Sequence, residues 1–273
     1  MLPVRRRTTR ARAWILAETC RQASRIAENV VDHIAGLERC LAGEPYLVYC
    51  PMTLGRAALD GAVRVCYVLD PNASLDVRLL RGAALLLDSS AEEVAAVRAL
   101  PPDQPPMPDA LEIVTRMRDN VVGWITAAGI DIRRGRGERV SGLAWDSAAK
   151  GVPLKVNISG EADRYFPEVP AAYRMSSGVA HSMPWMLHDR DDLPSTIYMV
   201  GATALTCLNC CIKITETYAR YYGHDSSSET KSGLLRCQAV TIAMYDYGRA
   251  GHNSLGRYAD DPRLQPAPTT SEM

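Results

Sequence analysis

The chain has 273 residues, 47% of them hydrophobic and 23% charged, enough to bury a sizeable core in one large domain or two small ones. Thirty-one Lys and Arg cancel thirty-one Asp and Glu, at a pI of about 6.9. That balance counts against a surface built throughout to grip nucleic acid, though not against a local basic groove.

Helical periodicity runs through most of the sequence, and strand alternation is nearly absent. A first long helix is expected from Thr9 to Leu41, with Leu16, Ala23, Ile26, Val30, Ile34 and Leu37 mostly three or four residues apart, ended by Gly43 and Pro45. "PMTLGRAALDGAVRVCYVLD" (51–70) reads as a second helix stopped before Pro71, and "ASLDVRLLRGAALLLDSSAEEVAAVRAL" (73–100) as a third. The proline-dense "PPDQPPMPD" is a linker, because proline lacks the N–H that a helix or sheet ladder needs. A fourth helix covers 110–129. An irregular insertion then spans about 130–167, with one short strand candidate, "VPLKVNI", too solitary to define a sheet. Helices over 168–188, 194–222 and 228–248 follow.

The expected fold is therefore all-α: a single bundle of six or seven helices over 1–250, and a disordered tail over 251–273 without periodic apolar content. No apolar run reaches about eighteen uninterrupted residues, and the basic N-terminus leads into too short an apolar stretch for a secretory signal. A cytoplasmic protein without a membrane span is the expectation.

Eight cysteines stand at 20, 40, 50, 66, 207, 210, 211 and 237 and are expected to be reduced and buried. "CLNCC" gives Cys207 and Cys210 a zinc-knuckle spacing, but no second pair accompanies it and the cluster lies in an apolar helix, so it reads as core packing. Paired-histidine metal motifs, a P-loop and a dinucleotide glycine pattern are missing, so no metal site and no cofactor are expected. "RRGRGER" (133–139) reads as a solvated basic loop.

The chemistry-bearing pattern is "YRMSSGVAHS". On a helix, Arg174, Ser177 and His181 fall at i, i+3 and i+7, within about 60° of one another. Arginine holds a phosphate, sulfate or carboxylate through paired N–H donors, and histidine moves a proton near neutrality. Tyr173 stands beside this stripe. In the second helix Arg56, Asp60 and Arg64 recur every four residues on an otherwise apolar element, with Tyr67 following. They read either as a buried polar layer facing Arg174 and His181 or as ordinary surface pairs. Pro184 is expected to bend or end the late helix, leaving Trp185 and His188 near a turn.

An all-α bundle with arginine, six intervening residues and histidine in a late helix, "RMSSGVAH", resembles the HEPN superfamily, and "YRMSSGVAHS" resembles its uncharacterised bacterial branch. The resemblance implies a helical dimer. In nuclease members the motif arginine and histidine of two subunits face each other and cleave RNA without metal. Carried over, Arg174 would hold the scissile phosphate and His181 would assist the 2′-hydroxyl attack or protonate the leaving oxygen. Met175 departs from the pattern, since nuclease members usually place a polar residue after the arginine.

Three functions are therefore open. One is a homodimeric, metal-independent ribonuclease of toxin or defence type, with Arg174, Ser177 and His181 as catalytic residues. Another is a small-molecule enzyme, a lyase or transferase of specialised metabolism, holding a phosphate-, sulfate- or carboxylate-bearing substrate in a closed polar pocket lined by Arg56, Asp60, Arg64, Arg174, Ser177 and His181, with Tyr67 and Tyr173 as further binding residues. The last is a non-catalytic binding module.

Overall fold

The computed structural model describes residues 4–43, 47, 49–101, 109–146, 150–183 and 193–255. The fold is all-α. Eight helices appear among the described residues: α1 Val4–Ala42, α2 Tyr49–Val68, α3 Leu75–Arg98, α4 Ala110–Ala127, α5 Ile158–Tyr165, α6 Ala172–Ala180, α7 Leu193–Tyr222 and α8 Ser227–Leu255. The expected count of six or seven falls short because α5 sits in the stretch read as irregular. Most of the proline linker, the tail from 256 onward, and Pro184, Trp185 and His188 lie outside the described residues. Residues 251–255 belong to α8.

The expectation that no strands pair is also corrected. β1 Asp131–Arg134, β2 Val140–Ala144 and β3 Val152–Pro153 form an antiparallel sheet in that order. Ile132 faces Leu143, and the register shifts between Arg133 and Arg134, a bulge that absorbs the strands' unequal lengths. Glycine is required at 142, where a Cβ would lie 2.4 Å from the Val152 carbonyl oxygen. "RRGRGER" supplies the β1–β2 connection, with Gly137 at φ 72° in its 3₁₀ turn.

Two compact units make up the chain. One comprises Met1–Glu28, Val63–Glu161 and Arg220–Gly223; the other comprises Asn29–Ala62, Ala162–Ala219 and His224–Met273.

In the first unit, Ala11 and Ile15 of α1 pack with Leu79, Leu80, Ala83 and Leu87 of α3, Ile125 of α4 and Leu143 of β2. Each fully buried Leu or Ile contributes about 1.5–3 kcal/mol relative to exposure. Trp14 stacks on Trp124 with ring centroids 5.3 Å apart. Gly82 lets α1 and α3 touch: a Cβ there would lie 2.2 Å from Thr19 Oγ1, which donates to the Ile15 carbonyl at 2.7 Å.

The α2–α3 turn is built around Asp70, whose Oδ1 accepts from the Asn72 N–H at 2.9 Å while Pro71 presets the bend. The other oxygen, Oδ2, accepts from Arg81 Nη1 at 3.2 Å. Arg81 also donates to the Tyr67 carbonyl at 2.9 Å and lies over the Tyr67 ring. Asp70 and Arg81 are 1% and 9% exposed, so each needs the other to stay charged inside. Ser74 caps α3, accepting from the Val77 N–H.

In the second unit, Met52 of α2, Val179 of α6 and Met199 of α7 form an apolar cluster with Met175 packed against it. Gly55 permits close approach of α2 and α7, because a Cβ would sit 2.5 Å from Thr203 Cγ2. Cys207 and Cys210 are buried in α7, and burial pushes the Cys207 thiol up to about 12. Within α7, Thr196–Tyr222 is long and apolar enough, by length and composition, to cross a membrane, a test that the core helix of a soluble protein also passes. The sequence expectation excluded any such segment because every apolar run is interrupted before about eighteen residues. In α7 Thr, Gly and Asn interrupt it without adding charge, and the mean hydropathy is 1.5.

Candidate functional site

Helix α6 carries the Arg–Ser–His pattern and is shorter than the expected 168–188, ending at Ala180. Its termination is a Schellman motif. The Met183 N–H donates to the Gly178 carbonyl at 2.8 Å and the Ser182 N–H to the Val179 carbonyl at 2.9 Å. Ser182 takes φ 53°, the left-handed position where glycine is usual. At the other end Ala171, the N-cap, has φ 61°. Both ends are thus held by non-glycine residues in a conformation that costs an L-residue about 1–2 kcal/mol.

Which way the pattern points follows from the packing. Ala172, Met175, Ser176 and Val179 cluster on one side of α6 at about 100° per residue. Met175 and Val179 belong to the apolar cluster, while Ala172 and Ser176 help line a neighbouring cavity. Arg174, Ser177 and His181 fall on the opposite side. Arg174 and His181 are exposed and Ser177 is half-buried. His181 occupies the C-cap position, its N–H donating to the Ser177 carbonyl at 3.0 Å. Among the described residues, the Arg174 and His181 side chains meet no hydrogen-bond or ion-pair partner. The three residues share one stripe, and that stripe faces solvent.

Tyr173 joins a different group. Arg56 forms an ion pair with Asp60 one turn along α2, donates to the Tyr173 hydroxyl and lies 3.8 Å from the Tyr173 ring centroid. The Arg56 and Asp60 side chains are 14% and 33% exposed. Arg56 Nε and Asp60 Oδ1 are shielded from solvent and meet no partner among the described residues. The guanidinium is therefore committed to an internal carboxylate and an aromatic face. The structure brings Arg56, Asp60 and Tyr173 together within the second unit.

Arg64 and Tyr67 belong to the first unit. They line a cleft of about 20 Å³, room for roughly one water molecule, together with Arg81, Asp88 and Leu154. Burial pushes the Asp88 carboxyl above its ordinary range, opposed by the positive charges of Lys155 and Arg64. Lys155 lies 3.9 Å from Asp88 and 2.6 Å from Glu92.

Sequence reasoning did not single out the cavity of the second unit. It measures about 230 Å³ and is lined by Met52, Met175, Tyr198, Met199, Met244 and Glu168, among others. Thr203 and Thr206 also line it, but their hydroxyls donate to the carbonyls of Met199 and Ala202 in their own helix. Glu168 is held by Lys213 at 2.9 Å. The wall thus presents soft, polarisable sulfur and aromatic surface, with most polar groups already satisfied. Helically spaced methionines look like plain core in a sequence, so nothing in the pattern distinguishes a cavity wall.

Among the described residues, no three His, Cys, Asp or Glu side chains come together as a metal site. No family model, curated protein or solved structure matches this chain.

Proposed function

We propose that the chain is a cytoplasmic, homodimeric ribonuclease that works without a metal, its cleavage site assembled from the α6 stripes of two copies. One observation carries this reading: Arg174, Ser177 and His181 share the solvent side of α6, opposite Met175 and Val179. An RNA backbone needs such access. A single exposed stripe holds one cation and one imidazole, and a second copy brings another of each.

In this reading Arg174 grips the non-bridging oxygens of the scissile phosphate through two N–H donors and offsets the charge that builds there. One His181 takes the proton from the 2′-hydroxyl as its oxygen attacks phosphorus. The other gives a proton to the departing 5′-oxygen as the P–O bond breaks. Ser177 donates to a phosphate oxygen beside them. The products are a 2′,3′-cyclic phosphate and a 5′-hydroxyl.

The alternative of a small-molecule enzyme for phosphate, sulfate or carboxylate substrates draws less support. Among the described residues lining the 230 Å³ cavity there is no Arg56, Asp60, Arg174, Ser177 or His181. That cavity favours instead a binding module for a compact apolar molecule.

The test compares wild-type protein with Arg174→Ala and His181→Ala on single-stranded RNA, alongside light scattering for oligomeric state. A dimer whose cleavage falls at least a hundredfold in each variant, with unchanged thermal unfolding, supports the proposal. A monomer, or cleavage indifferent to both substitutions, overturns it.

A further inference from the structure

We propose that Cys40 and Cys50 are a redox-modification site, closing into an intramolecular disulfide when the chain meets a small disulfide oxidant such as oxidised glutathione. Cys40 lies in the last turn of α1 and Cys50 in the first turn of α2, ten residues apart in sequence. Their sulfurs are 3.4 Å apart, in hydrogen-bonding contact. A disulfide needs them at about 2.05 Å, a closure that side-chain rotation at two helix ends supplies.

Contact and access together set this pair apart from the other cysteine cluster. Cys50 is exposed and its sulfur touches that of half-buried Cys40, whereas in α7 Cys211 is exposed but Cys207 and Cys210 are buried. The expectation that all the cysteines are buried therefore fails at Cys211 and, within this pair, at Cys50. Nothing in its sequence context signals this, because the two thiols meet only once the helices have folded against each other.

The chemistry balances with one equivalent of oxidant. The exposed Cys50 sulfur, as thiolate, attacks one glutathione sulfur. The protein–glutathione bond forms, the glutathione disulfide breaks, and one glutathione thiolate departs. Cys40 then loses its proton to solvent and attacks the Cys50 sulfur, releasing the second glutathione. Two protein thiols are oxidised and one disulfide is reduced to two thiols. The hydrogen bond to Cys40, with some burial, holds the Cys50 thiol above its ordinary range. Closure therefore accelerates as pH rises above neutrality, because the thiolate is the attacking form.

The product is a covalent ring at the entrance to α2, the helix whose next turns carry Arg56 and Asp60. Its formation restrains the first turn of α2 against the last turn of α1 without touching the Arg174–His181 stripe.

The experiment uses the full chain, fully reduced, then equilibrated with either reduced or oxidised glutathione, quenched in acid and alkylated. Intact mass counts the free thiols and peptide mapping locates any link. The expected result is eight alkylated thiols in the reduced sample and two fewer after oxidation, with the link joining Cys40 to Cys50 and reversed by dithiothreitol. In Cys40→Ser the reaction stops at a glutathione adduct on Cys50. The proposal is overturned if all eight thiols stay alkylatable, if wild type also stops at that adduct, or if the link joins another cysteine.

Discussion

Arg56 lies over the ring of Tyr173, its guanidinium carbon 3.8 Å from the centroid, while one of its nitrogens donates to the same tyrosine's hydroxyl. With Asp60 as counter-ion, this clamp joins α2 to α6, the helix whose far side presents Arg174 and His181. Tyr173→Phe keeps the stack and loses one hydrogen bond, and is expected to cost about 1 kcal/mol. Tyr173→Ala loses both, with the ring's apolar contacts, and is expected to cost about 3 kcal/mol. Urea unfolding of the two variants beside wild type measures the difference. Equal costs would mean that the stack contributes nothing.

Helix α6 is bracketed by Ala171 and Ser182, both at positive φ. Replacing either with glycine relieves strain of about 1–2 kcal/mol and returns part of it as extra freedom of the unfolded chain. Ala171→Gly and Ser182→Gly are each expected to stabilise by about 0.5–1 kcal/mol, read as a higher denaturation midpoint at unchanged slope. Losses from both would show that these positions are not strained.

The Asp70–Arg81 pair is almost wholly enclosed, and Arg81 also holds the Tyr67 carbonyl. Removing one charge strands the other, so Asp70→Asn and Arg81→Met are each expected to destabilise by about 3 kcal/mol. In the double variant the loss should fall well short of the sum, because no buried charge is left alone. A double-variant cycle in urea gives the coupling directly.

Tyr221 gives the chain an alkaline limb. Burial, first, and a hydrogen bond with the Cys20 thiol at 3.5 Å push its hydroxyl from the usual 10 to about 12. Below pH 10 the folded and unfolded chains both hold this proton. Between pH 10 and 12 the unfolded chain releases it first, so unfolding gains and stability falls as pH rises. Tyr221→Phe is expected to flatten that fall, measured by thermal unfolding in steps from pH 9 to 11.5. An unchanged slope would place the tyrosine's ionisation elsewhere.

Long helices were legible because their apolar residues recur at helical spacing: Ala23, Val30 and Leu37 of α1 are buried, while Ile15 rather than the expected Leu16 fills the core at its start. The small sheet was not, because β1 reads "DIRR", β2 contains glycine, and only two residues of "VPLKVNI" pair. Their pairing depends on contacts across the hairpin that no short window contains. For the site, angular spacing groups Arg174, Ser177 and the C-cap His181 on one stripe of α6. The direction of that stripe was also written locally, in Ala172, Met175 and Val179 on the other side, and of the two readings left open, a buried layer facing Arg174 and His181 is the one the exposure of both residues disfavours. Arg64 illustrates the opposite limit. Four-residue steps align it with Arg56 and Asp60, yet it belongs to a different compact unit.

The most direct measurement is incubation of purified wild-type protein with single-stranded RNA in excess EDTA, followed by analysis of the product ends. Cleavage that persists and leaves 2′,3′-cyclic phosphate and 5′-hydroxyl ends is the predicted result. RNA left intact, or cut only when a divalent metal is restored, would contradict it.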